Sequence, residues 1–217
     1  MFEAELAVRL EIPQGVTAVI GSGGKTTLLR TLAEGLPGTV LLCTTTHILP
    51  FDGLPLLCSP DQETLTAALR KHRVVCAGTP EPETGKLTAL PYGLTGLADY
   101  VLVEADGAHG YPLKGHADYE PVIPPEASRV VQVVGLSGLQ EPIRRVVHRP
   151  ELFAAQLNLS AGATVTPTRL AAVLNREHLA DVILLNQAED WRSVAGLMRG
   201  LLRTPAVVCS LKERWLE

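Results

Sequence analysis

The segment Gly21-Ser22-Gly23-Gly24-Lys25-Thr26-Thr27 has the residue types, in the order, of a phosphate cradle. Glycines let consecutive backbone N–H groups turn inward around oxyanions without a Cβ in the way, and a helix starting there adds the partial positive charge of its N-terminus. Lys25 supplies a formal charge, and the Thr26 hydroxyl is the kind of group that ligates magnesium beside phosphates. The apolar run Val16 to Ile20 before it and the helix-like Leu28 to Leu36 after it provide the strand and helix that this chemistry needs on either side.

Such a site needs a second element, an acid at the end of a buried strand that holds the metal directly or through water. Val101-Leu102-Val103-Glu104-Ala105-Asp106 supplies two. Alternate residues of a strand share a face, so Glu104 and Asp106 are expected to point at one magnesium ion. Thr44-Thr45-Thr46-His47 brings hydroxyls and an imidazole suited to acid, base or ligand roles. The stretch Pro112 to Pro121 is dense in ionisable groups and proline-rich, the character of an irregular substrate loop, with Lys114 and Glu120 as its candidates. A solvated surface loop is the competing reading.

Two further groups are weaker signals. Arg144, Arg145, His148 and Arg149 form a basic cluster that suits an anionic substrate or a γ-phosphate, or simply one charged helix face. Asn186-Gln187-Ala188-Glu189 places Asn186 as a nucleotide-side candidate, while glutamine and glutamate stand where the base-reading Asn-Lys-x-Asp motif of GTPases has lysine and aspartate. Guanine specificity is therefore not expected; ATP is, with GTP left open.

The elements that must position these groups can be read along the chain. Phe2 to Leu10 has apolar residues at helical spacing, Val16 to Ile20 is a short buried strand, and Thr26 to Leu36 a helix closed by Gly35 or by Pro37-Gly38. Thr39 to Cys43 and Arg73 to Ala77 read as strands, separated by a helix that Ser59-Pro60-Asp61-Gln62 starts and that runs to about Lys71. Thr84-Gly85 predicts a hairpin excursion near 79–91, outside the core. Tyr100 to Val103, Val130 to Val134, Val182 to Leu185 and Ala206 to Cys209 are further buried strands; between them lie helical stretches in Pro142 to Leu157 broken by Pro150, and a helix capped by Thr166-Pro167.

That alternation predicts an α/β fold with a mainly parallel sheet, helices on both faces and ligands at the C-terminal strand ends. One domain over residues 1–217 is the simplest organisation, with an irregular loop near 107–128.

Composition bounds the function. Hydrophobic residues make up 46% of the chain and charged residues 19%, the balance of a packed globule. A net charge of -4 argues against broad capture of nucleic acid or anionic lipid. No apolar run reaches the length of a membrane span, and the acids of Met1-Phe2-Glu3-Ala4-Glu5 stand where a secretory leader carries lysine or arginine, so a cytoplasmic protein is expected. Cys43, Cys58, Cys76 and Cys209 form no zinc or disulfide pattern; Cys43 alone adjoins the candidate site, where burial competes with a reactive thiol.

The glycine loop departs from the longer G-x-x-x-x-G-K-[ST] form, which would need glycine at Val19. Its short form G-x-x-G-K-T-T resembles the loop of Mur-type peptide ligases more than that of small GTPases. Taken in order, Gly21–Thr27, Thr44–His47, Glu104-Ala105-Asp106-Gly107-Ala108, Pro112-Leu113-Lys114, Glu120–Pro124, His148-Arg149-Pro150-Glu151 and Leu185-Asn186-Gln187 resemble the YqeC family of selenium-dependent hydroxylase accessory proteins. The resemblance implies a P-loop NTPase-like three-layer sandwich that uses ATP and Mg2+, with a selenium species or molybdopterin cofactor and a molybdenum hydroxylase as partners. It implies Gly21, Ser22, Gly23, Gly24, Lys25, Thr26 and Thr27 at the nucleotide and Thr26, Glu104 and Asp106 at the metal. Where the family usually has Ala-Pro after Leu-Lys, this chain has Gly115-His116, and Tyr119 stands where histidine is common. The reaction stays open between an ATPase or phosphoryl-transfer enzyme, a nucleotide-gated carrier, and a Mur-like ligase or small-molecule kinase.

Overall fold

A strand buried on both faces must be apolar at every position, and such runs recur along this chain because its sheet is covered on both sides. The computed structural model describes residues Met1–Glu217. Its elements are α1 (Phe2–Arg9), β1 (Gly15–Gly21), α2 (Lys25–Gly35), β2 (Val40–Thr44), β3 (Leu56–Cys58), α3 (Gln62–Lys71), β4 (Val74–Glu81), β5 (Lys86–Thr88), β6 (Tyr100–Glu104) and β7 (Leu113–Lys114). They continue with β8 (Ala127–Gly135), α4 (Ile143–Val146), β9 (Val147–His148), α5 (Pro150–Gln156), α6 (Pro167–Glu177), β10 (Val182–Asn186), α7 (Arg192–Arg199), β11 (Ala206–Ser210) and β12 (Trp215–Leu216).

Ten strands form one sheet in the order β12-β11-β10-β8-β1-β6-β2-β4-β3, with β5 paired to β4. The β11–β12 and β4–β5 pairings are antiparallel and the others parallel. From β1 the chain passes through α2 to β2 on one side, returns to β6 beside β1, and then takes β8 on the other side of β1. A crevice at the C-terminal ends of β1, β6 and β8 follows from that reversal, the place where open α/β sheets hold ligands.

Side-chain alternation divides the core. Val19, Leu42, Leu102, Val133 and Leu184 face α1 and α2 with Leu6, Leu28 and Leu32. On the opposite face Leu41, Cys43, Val75 and Val101 meet Leu65 and Leu69 of α3, while Val134, Ile183, Leu185 and Val208 meet Phe153, Leu170, Leu174 and Met198 of α5 to α7. The result is an α/β three-layer sandwich. No helix is long and apolar enough to cross a membrane.

Several local expectations need correction. Asp61, not Ser59, caps α3: its side chain accepts the Thr64 amide (2.7 Å), and Ser59 sits at φ 47° before the helix. Pro150 begins α5 instead of breaking a helix, because proline lacks only an amide that the first turn leaves unpaired anyway. The Thr84-Gly85 hairpin is not outside the core; its Leu87 bridges Ile48 and is buried. Strands β3 and β12 are too short to leave a periodic signal.

Candidate functional site

At the turn from β1 to α2 the backbone does what the glycines permit. Gly24 lies at φ 124°, and a Cβ there would fall 2.5 Å from Asn186 Nδ2; a Cβ on Gly23 (φ 88°) would fall 2.5 Å from the backbone of Gly135. The Gly21 amide donates to Asp106 Oδ2 (2.9 Å) and the Ser22 amide to Val133 O (2.8 Å). The amides of residues 23–27 then find no acceptor in the protein, and pairing resumes only at Leu28, which donates to Gly24 O (2.9 Å). Consecutive free donors at a helix N-terminus are a fit for an oxyanion.

Lys25 is nearly buried, its Nζ donating to Gly21 O (2.7 Å) and lying 3.1 Å from Asp106 Oδ1 and 4.0 Å from Glu104 Oε1. Thr26 Oγ1 donates to Glu104 Oε2 (3.3 Å). The two acids nevertheless differ. Burial pushes the Glu104 carboxyl up, with Asp106 adding to the effect and Lys25 only partly opposing it. Burial would also raise Asp106, but the hydrogen bond from His116, the charges of Lys25 and Lys114 and the Gly21 amide hold it at about 2. Glu104 is thus a carboxylate short of positive charge, which a divalent cation beside the Thr26 hydroxyl would supply. Asp106 is fully buried, surrounded by Lys25, Lys114, His116 and the Gly21 amide. The expectation that both acids point at one metal is corrected: only Glu104 faces open space, because the strand ends there and the chain turns beneath the loop.

Behind Asp106 lies an ion-pair network. Lys114 Nζ is 3.4 Å from Asp106 Oδ2 and 3.1 Å from Glu120 Oε2, and it donates to Gly107 O. Glu120 also pairs with Arg149 (3.3 Å), which donates to the Tyr119 hydroxyl (2.6 Å) and lies over its ring. The parallel pairing of β7 with β9 sets Lys114 opposite His148 and so brings these loops together. His116 bridges Asp106 Oδ2 (3.2 Å) and Glu177 Oε2 (2.9 Å), and Gln156 Nε2 donates to Glu177 Oε1 (2.7 Å). The Gly115-His116 departure is explained here: a Cβ at residue 115 would fall 2.7 Å from the Phe153 amide, so glycine lets α5 close over the network.

Burial alone would lower the His116 pKa, but hydrogen bonds to Asp106 and Glu177 raise it from 6.5 to about 9. Its contribution to stability is complete below pH 6.5 and is lost as pH rises through 9. On the order of 3 kcal/mol should disappear across that window. Urea midpoints at pH 6, 7.5, 9 and 10 are expected to fall for the wild type and to stay level for His116→Gln; parallel profiles would refute the assignment.

Two cavities meet at the loop. One of about 280 Å³ is lined by Gly23 to Thr27, Glu104, His109, Tyr111 and Gln187 among others. A larger one of about 670 Å³ extends past Thr46, His47, Lys86, Tyr119 and Glu120. Thr26, Glu104, Ala108 and His109 belong to both. His47 stands at the far end, 3.3 Å from Glu81 Oε1.

The family model for the YqeC protein matches residues 17–151, from β1 through the loop to Glu151. The chain belongs to the YqeC family. A YqeC protein of Escherichia coli (strain K12) is similar to it, 34% identical over 171 residues that cover 73% of this chain and 67% of that protein. No solved structure matches the chain.

Several predicted residues brace the YqeC-type site without facing it. Asn186 donates to Gly23 O (2.8 Å) and accepts the Leu211 amide (3.0 Å), so it holds the loop's outer wall while Gln187 lines the small cavity. Thr44 donates to Glu104 O (2.8 Å) and Thr45 to Val122 O (2.6 Å), leaving Thr46 as the threonine on the cavity. Of the basic cluster, His148 and Arg149 reach the network, whereas Arg145 pairs with Glu141 on the surface. Cys43 is buried under α3 and burial pushes its thiol up, which removes it as a thiolate. His116 and Glu177 escape sequence reading because the two are joined only through the packing of α6.

Proposed function

We propose that the chain binds Mg·ATP at the β1–α2 turn and uses it, as an ATPase or phosphoryl-transfer enzyme, in the maturation of selenium-dependent molybdenum hydroxylases. The observation that carries the nucleotide half is the run of unpaired amides at residues 23–27 beside Lys25 and Thr26 in one cavity. The loop amides and Lys25 would hold phosphate oxygens, and Thr26 with Glu104 the magnesium ion, whose charge would offset that developing on the transferred group. Asp106, itself held by Lys114 and His116, keeps Lys25 aimed. The larger cavity is of a size for the acceptor, a selenium species or a molybdopterin-type molecule. The hydroxylase-maturation half rests on family membership. Glu189 accepts from Ser210 Oγ, which commits to the fold the residue that would read guanine and favours ATP over GTP.

Calorimetry with ATP and GTP, with magnesium and with chelator, tests the reading. Mg·ATP is expected to bind, GTP more weakly. In Glu104→Gln the advantage conferred by magnesium should fall about tenfold or more, the loss of one charge-assisted contact. No heat with either nucleotide would sink the reading. Binding without phosphate release, with any selenium or molybdopterin substrate, would favour a nucleotide-gated carrier. The ion-pair chain from Lys25 through Asp106, Lys114 and Glu120 to Arg149 is a route for such gating.

A further inference from the structure

The rim shared by the two cavities carries one cation-capable side chain that the mechanism above leaves unused. His109 lies there with Thr26, Glu104 and Ala108, exposed to the cavities and without a hydrogen bond or ion pair of its own. Of the other basic groups nearby, Lys114 is committed to Asp106 and Glu120 and Arg149 to Glu120 and Tyr119, while His47 and Lys86 stand beside Glu81 at the far end of the larger cavity.

His109 is also held in place. It is the first central residue of a turn closed by the Tyr111 amide on Ala108 O (3.0 Å), with His109 at φ 49° and Gly110 at φ 78°. Both central residues of such a turn need a left-handed backbone, a conformation that costs a histidine about 1–2 kcal/mol per residue. The turn is tied to the glycine loop because Ser22 Oγ donates to Tyr111 O. The His109 ring stacks on His148 with centroids 4.8 Å apart, and the Tyr111 ring lies 6.2 Å from His148. Burial, with Lys114, His109 and Arg149 nearby, lowers the His148 pKa. His148 is a flat support beneath the His109 ring.

We propose that His109 contacts the terminal phosphate of the bound nucleotide and makes the site prefer a triphosphate to a diphosphate. This rests on the nucleotide reading above. Thr26 and Glu104, the residues that would hold magnesium, stand at the shared rim together with His109. Magnesium held there would bridge the last two phosphates, so a phosphate chain on the loop amides would end at that rim, facing the larger cavity and His109. A charge-assisted contact to a group that the diphosphate lacks discriminates between the two.

The test is calorimetry of the full chain with Mg·ADP and with magnesium and a non-hydrolysable ATP analogue, on wild type, His109→Asn and Lys25→Ala. Asparagine tolerates the left-handed turn, so the loop should keep its shape. Wild type is expected to bind the triphosphate about tenfold tighter than ADP, and His109→Asn to bring the two within about twofold while ADP affinity is unchanged. If His109→Asn keeps the wild-type preference, or weakens both ligands equally, the assignment is overturned while binding that still depends on Lys25 leaves the nucleotide reading standing. If wild type binds neither ligand, or Lys25→Ala leaves ADP affinity intact, the nucleotide reading itself fails and this assignment with it.

Discussion

Replacing Asp106 with alanine is expected to destabilise the folded chain by on the order of 3–5 kcal/mol, the usual cost of removing one partner from a buried ion pair. One oxygen of this fully buried carboxylate accepts the Gly21 amide at 2.9 Å and faces His116 at 3.2 Å and Lys114 at 3.4 Å; the other faces Lys25 at 3.1 Å. Without it, three cationic groups stay packed together in low dielectric, and the amide that starts the glycine loop loses its acceptor. Asp106→Asn keeps the volume and an acceptor but no charge, so it should fall between alanine and wild type. Urea unfolding followed by circular dichroism at neutral pH measures both; midpoints equal to wild type would show that the network carries no stability. Because its pKa is held near 2 against an ordinary 3.8, the wild-type advantage is present above pH 3.8 and fades as pH falls through 2.

Lys25→Ala is expected to weaken Mg·ATP about a hundredfold or more. A hydrogen bond to a charged group contributes roughly 1.5–3 kcal/mol, and each 1.4 kcal/mol is tenfold in affinity. The lysine is nearly buried and meets its anion away from screening solvent, which places the loss at the upper end of that range. Arginine should not rescue it, since a planar guanidinium cannot take the place of a compact ammonium held in a buried site between Gly21 O and Asp106 Oδ1. The variant should also lose some stability, but less than Asp106→Ala, because Lys114 and His116 still face the carboxylate. Calorimetry at matched magnesium checks the first effect and urea unfolding the second. An affinity change under about tenfold would remove Lys25 from the phosphate site.

The two variants differ in how far their reasons are visible in the chain. Lys25 is legible because everything that defines its setting lies within a few residues: an apolar strand before it, glycines around it and a helix after it. The same holds for the Thr166 cap, whose side chain accepts the Arg169 amide three residues on, and for the buried strands, whose central runs are apolar but for Thr17 in β1 and Gln132 in β8. Short-range backbone hydrogen bonding and side-chain alternation are properties of neighbours along the chain, so residue order alone determines them. Family membership was legible for a related reason, since its motifs are short contiguous pieces in a constant order.

Which acid faces open space and which holds the loop is a different kind of fact. Glu104 and Asp106 are the same chemistry two residues apart, and they are distinguished only because β6 lies next to β1, ends at Glu104 and carries Asp106 beneath Gly21. His116 finds Glu177 across 61 positions, and Asn186 finds Gly23 across 163, through the packing of α6 and the order of β10. His109 reaches the cavity rim only when the turn after β6 is laid against the loop after β1. The residues alone determined the glycine loop, the strands and the family motifs. Strand order decided which charges became neighbours, because electrostatic partnership depends on distance in space and burial, to which spacing along the chain is blind.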